Sequence, residues 1–203
     1  MRNKPIINDK LTLIPLNNKD LEKYDGKISY KKIDDIPFAC GIIKDHSVTL
    51  LSDESIRKTG LSFNTLFKYI TKNMDRKDYN VLSAKADIPL YCITNKKQLY
   101  GAGVLARIDI IEDIAKKYDV SNIMVIPSSK NDIIIADLDL CNEMGLTLND
   151  ITGLISDINS NESLIKKDDI LSYNLYVIKD GQLETATEKD FSINKDEENS
   201  FEL

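Results

Sequence analysis

Tryptophan is absent from this chain, histidine occurs once, at His46, and no stretch approaches the roughly 18 consecutive apolar residues of a membrane-spanning helix. Each shortage removes a class of function. A single histidine cannot populate the common zinc ligand sets, and Cys40, Cys92 and Cys141, spaced about 50 residues apart with no C-x-x-C pair, cannot complete one. An odd, scattered cysteine count also argues against a disulfide framework, so the thiols are expected to be buried and reduced. The start, MRNKPIINDK, lacks the apolar core of a secretion signal, and a cytoplasmic location is expected, with no membrane association.

Basic clusters are scarce too. The formal net charge is −6, and residues 184–203 hold seven acids against Lys189 and Lys195, which leaves the preceding chain near neutrality. Binding to nucleic acid rests on clustered Lys and Arg, so nucleic acid is not an expected partner. The acidic end has few large apolar groups and is expected to be weakly ordered unless Phe191, Ile193 or Phe201 docks.

What the chain has is 203 residues, 42% of them hydrophobic, enough to bury a core without staples. It also has one phrase written twice. TGLSFNTLFKYI begins at Thr59, and MGLTLNDITGLI begins at Met144, 85 positions later. The same ungapped offset lays PLYCI at Pro89 on NLYVI at Asn174. Ser62 and Thr147 stand where an N-cap hydroxyl would accept a free backbone N–H. Leu61 with Leu66, and Leu146 with Ile151, have the spacing of a hydrophobic staple. Beyond each cap, Phe63, Leu66, Phe67 and Ile70, and then Leu148, Ile151, Ile155 and Ile158, recur at helical period.

Hairpins are predicted ahead of both helices: FACGII and VTLL flank KDHS, and IMVI and IIIA flank PSSKND. LYCIT and LYVIK read as strands after the helices. Upstream, LTLIPL reads as a strand followed by a short helix in NKDLEKY. LYGAGVLA reads as another strand, before a helix that Asp109 and Glu112 cap and that carries Ile111, Ile114, Ala115 and Tyr118 on one face. DRKDYNVLSAKAD reads as a flexible connection. The predicted class is α+β, with two tandem βαββαβ-like (ferredoxin-like) repeats whose antiparallel sheets carry helices on one face. The repeats are placed at 1–94 and 95–183 in one compact body, with the acidic tail at 184–203.

Three stretches carry a resemblance: TNKKQLYGAGVL, the IPSS that precedes a short strand, and the passage from strand to GLS helix start at Val48–Ser62. Here the chain resembles an uncharacterised bacterial family, domain of unknown function 5688, over roughly Lys10 to Leu183. The resemblance implies an origin in gut Gram-positive bacteria, often on mobile elements, and no activity. Members tend to carry a further N-terminal segment, absent here, and a His-Glu pair after the two serines. This chain has Asn131 and Asp132 there, so chemistry that needs the pair does not carry over.

The remaining polar clusters read as local structure. Ser128 or Ser129 beside Lys130 lacks the helical S-x-x-K spacing of a serine nucleophile with a lysine base, and PSSKND suits a turn. His46 sits in the matching turn with no partner in sequence to make it a general base. Gly101 and Gly103 fit no phosphate-loop pattern and suggest close backbone packing or a bulge. Asp137, Asp139 and Glu143 lack calcium-loop spacing. No catalytic, cofactor-binding or metal-ligating residue is therefore assigned.

The expected binding surface is Asn95, Pro127, Ser128, Ser129, Asn131 and Asp132. The expected function is that of a non-enzymatic protein-binding accessory factor of a mobile element or phage, with a host protein or defence system as partner. The alternative is an enzyme or small-ligand sensor with its pocket between the repeats, near Asn95 and the PSS turn.

Overall fold

A computed structural model describes residues 11–44, 47–84 and 87–191. In the first part of the chain, β1 (Leu11–Pro15), α1 (Asn18–Lys23), β2 (Tyr30–Ile33), β3 (Ile36–Lys44) and β4 (Ser47–Leu50) build a four-stranded antiparallel sheet around β3. One flank of β3 pairs with β1; the other pairs with β2 along its first half and β4 along its second. Asn17 caps α1, and Asp20 returns the bond to the Asn17 backbone, a reciprocal capping box.

The chain continues through α2 (Asp53–Lys58), α3 (Phe63–Asn73), β5 (Tyr79–Ala84), β6 (Leu90–Asn95), α4 (Ile108–Lys117), β7 (Ile123–Ile126) and β8 (Asp132–Asp137). It ends with α5 (Leu138–Glu143), α6 (Leu148–Ser160), β9 (Tyr176–Lys179) and β10 (Gln182–Thr185). These strands form a second antiparallel sheet in the order β10-β9-β7-β8-β6-β5. The fold is α+β. Ser62 and Thr147 cap α3 and α6 as their sequence positions predict, each accepting the amide of the residue three further on. Gly60 and Gly145 precede them with φ of 75° and 72°, a turn geometry that L side chains resist. The short α2 and α5, missed in the sequence, also lie 85 positions apart. Six residues are too few to declare a helical period.

Side chains of the second sheet alternate between two clusters, as pleating requires. Ile93, Val125, Ile133, Ile135 and Tyr176 face inward against Leu13, Phe38 and Cys40 of the first sheet, joined by Leu66, Phe67 and Ile70 of α3 and Ile110, Ile111 and Ile114 of α4. Met124, Ala136 and Val177 face outward against Leu138, Cys141, Ile151 and Ile155. The second sheet thus carries helices on both faces, not on one.

Strand pairing does not break at position 94, because β6 pairs with β8. The reason lies at β3. In the later half β9 sits beside β7; the equivalent place beside β3 is already held by β1, so β6 closes onto the other sheet.

Three local expectations change. LYGAGVLA is no strand: Tyr100 has φ 54°, and Gly101–Ala106 forms a buried 3₁₀ segment between β1 and β6. The Cβ of a residue at 103 would stand 2.9 Å from the Leu13 carbonyl oxygen, so this passage requires the absence of side chains. DRKDYNVLSAKAD contains β5, drawn into order by the free edge of β6. Asp109 does not cap α4; it lies in the first turn and pairs with Arg107 at 2.6 Å.

The acidic end is anchored through Phe191. β10 runs to Thr185, Ala186 is buried, Asp190 pairs with Lys179 at 2.5 Å, and Phe191 packs on the outward cluster. Ile193, Phe201 and His46 lie outside the described residues. No helix among the described residues is long and apolar enough to cross a membrane.

Candidate functional site

The structure brings the residues expected to form a binding surface into one neighbourhood, where Asn95, Ser129 and Asn131 hold the backbone around them. Asn95 accepts the amides of Lys97 and Leu99 at 3.0 and 3.1 Å and donates to the Leu99 carbonyl. Asn131 accepts the Tyr100 amide at 3.0 Å, its carbonyl takes the Thr94 hydroxyl at 2.9 Å, and its own amide is turned onto Ser129 Oγ at 3.0 Å. Lys130 reaches away to Asp20 at 2.7 Å with its side chain 8% exposed, so it is no base for either serine. Burial raises the Asp132 carboxyl above the ordinary range, against the lowering effect of hydrogen bonds from Ser129 and Ser128. Pro127 continues the turn out of β7. The TNKKQLYGAG and PSSKND stretches are thus two halves of one knot around the 3₁₀ segment.

A polar cleft of about 670 Å³ lies between the halves, but elsewhere than expected. Asp35, at the β2–β3 turn, accepts the Tyr176 hydroxyl at 2.5 Å and Asn174 Nδ2 at 2.9 Å, and Ser172 Oγ lies 2.8 Å from the same phenol. Burial pushes the Tyr176 phenol up, and the Asp35 hydrogen bond adds to it. Asn17 spends its amide on the carbonyls of Asp168 and Ile170, and Lys19 pairs with Asp168. These groups satisfy one another and clamp the first sheet onto the second. Asn95 and Ser128, expected to share a pocket, line two different ones.

The third cavity differs in kind. About 300 Å³ in volume, it runs between α6 and the outward face of the second sheet, and its walls are almost wholly aliphatic: Ile88, Leu90, Ile126, Ile134, Leu154 and Ile158. Pairing register extends this wall across four strands, since Leu82 faces Cys92, Cys92 faces Ile134, and Ile134 faces Ile126. The row ends at Leu82, 61% exposed, and the helix side ends at Leu154 and Ile158, 57% and 43% exposed. A six-stranded sheet is about 24 Å wide, whereas one packed helix covers about 10 Å. With α5 and α6 over the β9, β7 and β8 side, the β6–β5 side of this face is a shelf that no helix among the described residues covers.

Sequence reading missed the shelf because it depends on β5, which had been read as a connection. The thiol on it, Cys92, is half-buried, and burial raises it to about 11; Cys40 is raised to about 12 by the same cause. Neither is an activated nucleophile. Asp137, whose surroundings in sequence lack calcium-loop spacing, accepts the amides of Ser121 and Asp139 at 2.8 and 2.9 Å and caps α5.

A model of the family described as "Family of unknown function (DUF5688)" matches residues 49–179. The chain belongs to that family. The matched span runs from β4 to the end of β9 and so contains the knot, the shelf and the helices that wall it. No curated protein and no solved structure matches the chain.

Proposed function

We propose that this DUF5688 chain is a non-enzymatic protein-binding module that receives an apolar helical segment on the shelf between α6 and β5–β6. The observation that carries the reading is the continuous row Leu82, Cys92, Ile134, Ile126 beside Leu154 and Ile158, left open among the described residues on a face whose other side α5 and α6 cover. Exposed aliphatic surface that adjoins a formed groove is the usual ground for helix-in-groove recognition. The polar cleft supports a ligand-sensing or catalytic reading less well, because its polar groups are already engaged, Asp35 with Tyr176, Asn17 with the Asp168 and Ile170 carbonyls, and Lys19 with Asp168. A role as an accessory factor of a mobile element would be consistent with such a module and rests on the family resemblance alone.

The test is a titration of the full chain, methyl-labelled at Ile, Leu and Met, with an 18-residue helical peptide bearing a leucine stripe and glutamine flanks. Shifts should concentrate on Leu82, Leu90, Ile126, Ile134, Leu154 and Ile158, and Leu154→Asp should weaken binding. No shift, or shifts elsewhere, would remove the reading.

A further inference from the structure

The shelf is walled on one side by a stretch of unusual charge. From Asn131 to Ile165 there is no Lys, Arg or His, while Asp132, Asp137, Asp139, Glu143, Asp150, Asp157 and Glu162 fall within it. Helix formation does not demand this. The equivalent helices 85 positions earlier, α2 and α3, carry Arg57, Lys58, Lys68 and Lys72.

Within α6 the acids are placed, not scattered. Asp150, Leu154 and Asp157 follow one another at i, i+4 and i+7, so they share one flank of the helix, with Ile158 a step toward the sheet. That flank borders the groove, since Leu154 and Ile158 line it. The two carboxylates are separated along the axis by about 10.5 Å, two helical turns. Asp150 is held ionised by the Thr147 hydroxyl and amide at 2.6 and 2.9 Å, which keep its carboxyl below the ordinary range. Asp87 closes the groove on the sheet side.

Resting on the protein-binding reading above, we infer that the segment received on the shelf is a basic amphipathic helix, its aliphatic stripe on the row from Leu82 to Ile126 and Leu154, and its Lys or Arg residues two turns apart against Asp150 and Asp157. A neutral segment would leave the rim carboxylates without an opposite charge, and an acidic one would bring like charges together as the apolar surfaces close. The geometry favours a helix over an added strand because the apolar surface is a concave face beside α6, not only the free edge of β5.

Three peptides with one leucine stripe and flanks of lysine, glutamine or glutamate separate the possibilities. The full chain should bind the lysine peptide about tenfold tighter than the glutamine one, and the glutamate peptide weakest. Asp157→Lys, which spares the capping role of Asp150, should weaken the lysine peptide several-fold and strengthen the glutamate one. Raising salt should erase the difference between the peptides while leaving the glutamine peptide bound. The lysine peptide should also slow maleimide labelling of Cys92.

Equal affinities for all three peptides, or a preference for glutamate, would overturn the inference and leave the module reading intact. Failure of the glutamine peptide and the lysine peptide alike would overturn both. Shifts confined to the β5 backbone amides would assign the surface to strand addition instead. A dimer in sedimentation that disperses on Leu154→Asp would assign it to a second copy, and either result refutes the basic helix.

Discussion

Replacing Gly101 by alanine puts a Cβ 2.6 Å from the Asn95 nitrogen and 3.0 Å from Thr94 Cα, and closer still to the Asn131 carbonyl oxygen. All three obstacles are backbone, so no side chain can swing aside. The Asn131 carbonyl also holds the Thr94 hydroxyl at 2.9 Å, and displacing it loosens that bond. Overpacking of this kind costs about 1–3 kcal/mol, and a weakened hydrogen bond about 1 more. The expected loss is therefore about 3 kcal/mol, or a Tm lower by about 6–12 °C for a chain of this size.

Gly153→Ala is the control, because it sits exposed in α6 with nothing within 4 Å of the added carbon. It should stabilise by about 0.5–1 kcal/mol, since alanine favours helix over glycine. Urea and thermal unfolding followed by circular dichroism read both variants. If Gly101→Ala lies within about 0.5 kcal/mol of the parent, or if both variants shift in the same direction, the 3₁₀ segment is not wedged between the sheets as described.

Stability should also decline at alkaline pH. Burial raises Tyr79, Tyr100 and Tyr176, and it raises Cys40 to about 12 and Cys92 to about 11. A group raised on folding contributes fully below its unfolded value, and that contribution drains away as pH rises toward the folded one. Urea midpoints should therefore begin to fall near pH 9, with the thiols, and more steeply above about 10, with the phenols. Tyr176→Phe should flatten the upper part, and a level profile from pH 8 to 11 would contradict the burial. At the other end of the knot, Asp20→Ala strands the buried Lys130 and should cost about 3 kcal/mol. Lys130→Met keeps the Asn17–Asp20 capping box and should cost no more than about 1 kcal/mol; a reversed order in urea unfolding would show that the pair is not what buries Lys130.

Much of the local structure was legible. Ser62 and Thr147 announce their helices because an N-cap is a short-range bond between a hydroxyl and an amide three residues away, and both partners are in view along the chain. The strands β3, β7 and β8 declare themselves by aliphatic runs bounded by turn residues. What failed did so for lack of such local signals. β5 has a mixed sequence and becomes a strand because β6 offers unpaired backbone groups to it. LYGAGVLA has the composition of a strand, yet its glycines are consumed by backbone contacts from Leu13 and Asn131 that lie far away in sequence. Of the expected surface residues, Asn95 and Asn131 were polar for structural reasons, whereas the shelf is made of aliphatics that look like core until their exposure is known.

The amino-acid order alone determined that the chain mixes helices with antiparallel strands and where α3 and α6 begin, because a cap hydroxyl and the amide it accepts lie within one turn of each other. Only the assembled molecule decided which strand pairs with which. Both flanks of β3 are taken, one by β1 and the other by β2 and β4, so β6 satisfies its hydrogen bonds on the other sheet, and with it come the shared core and the shelf on the outward face. Pairing between distant strands is a competition for backbone partners, and its outcome belongs to all the competitors at once.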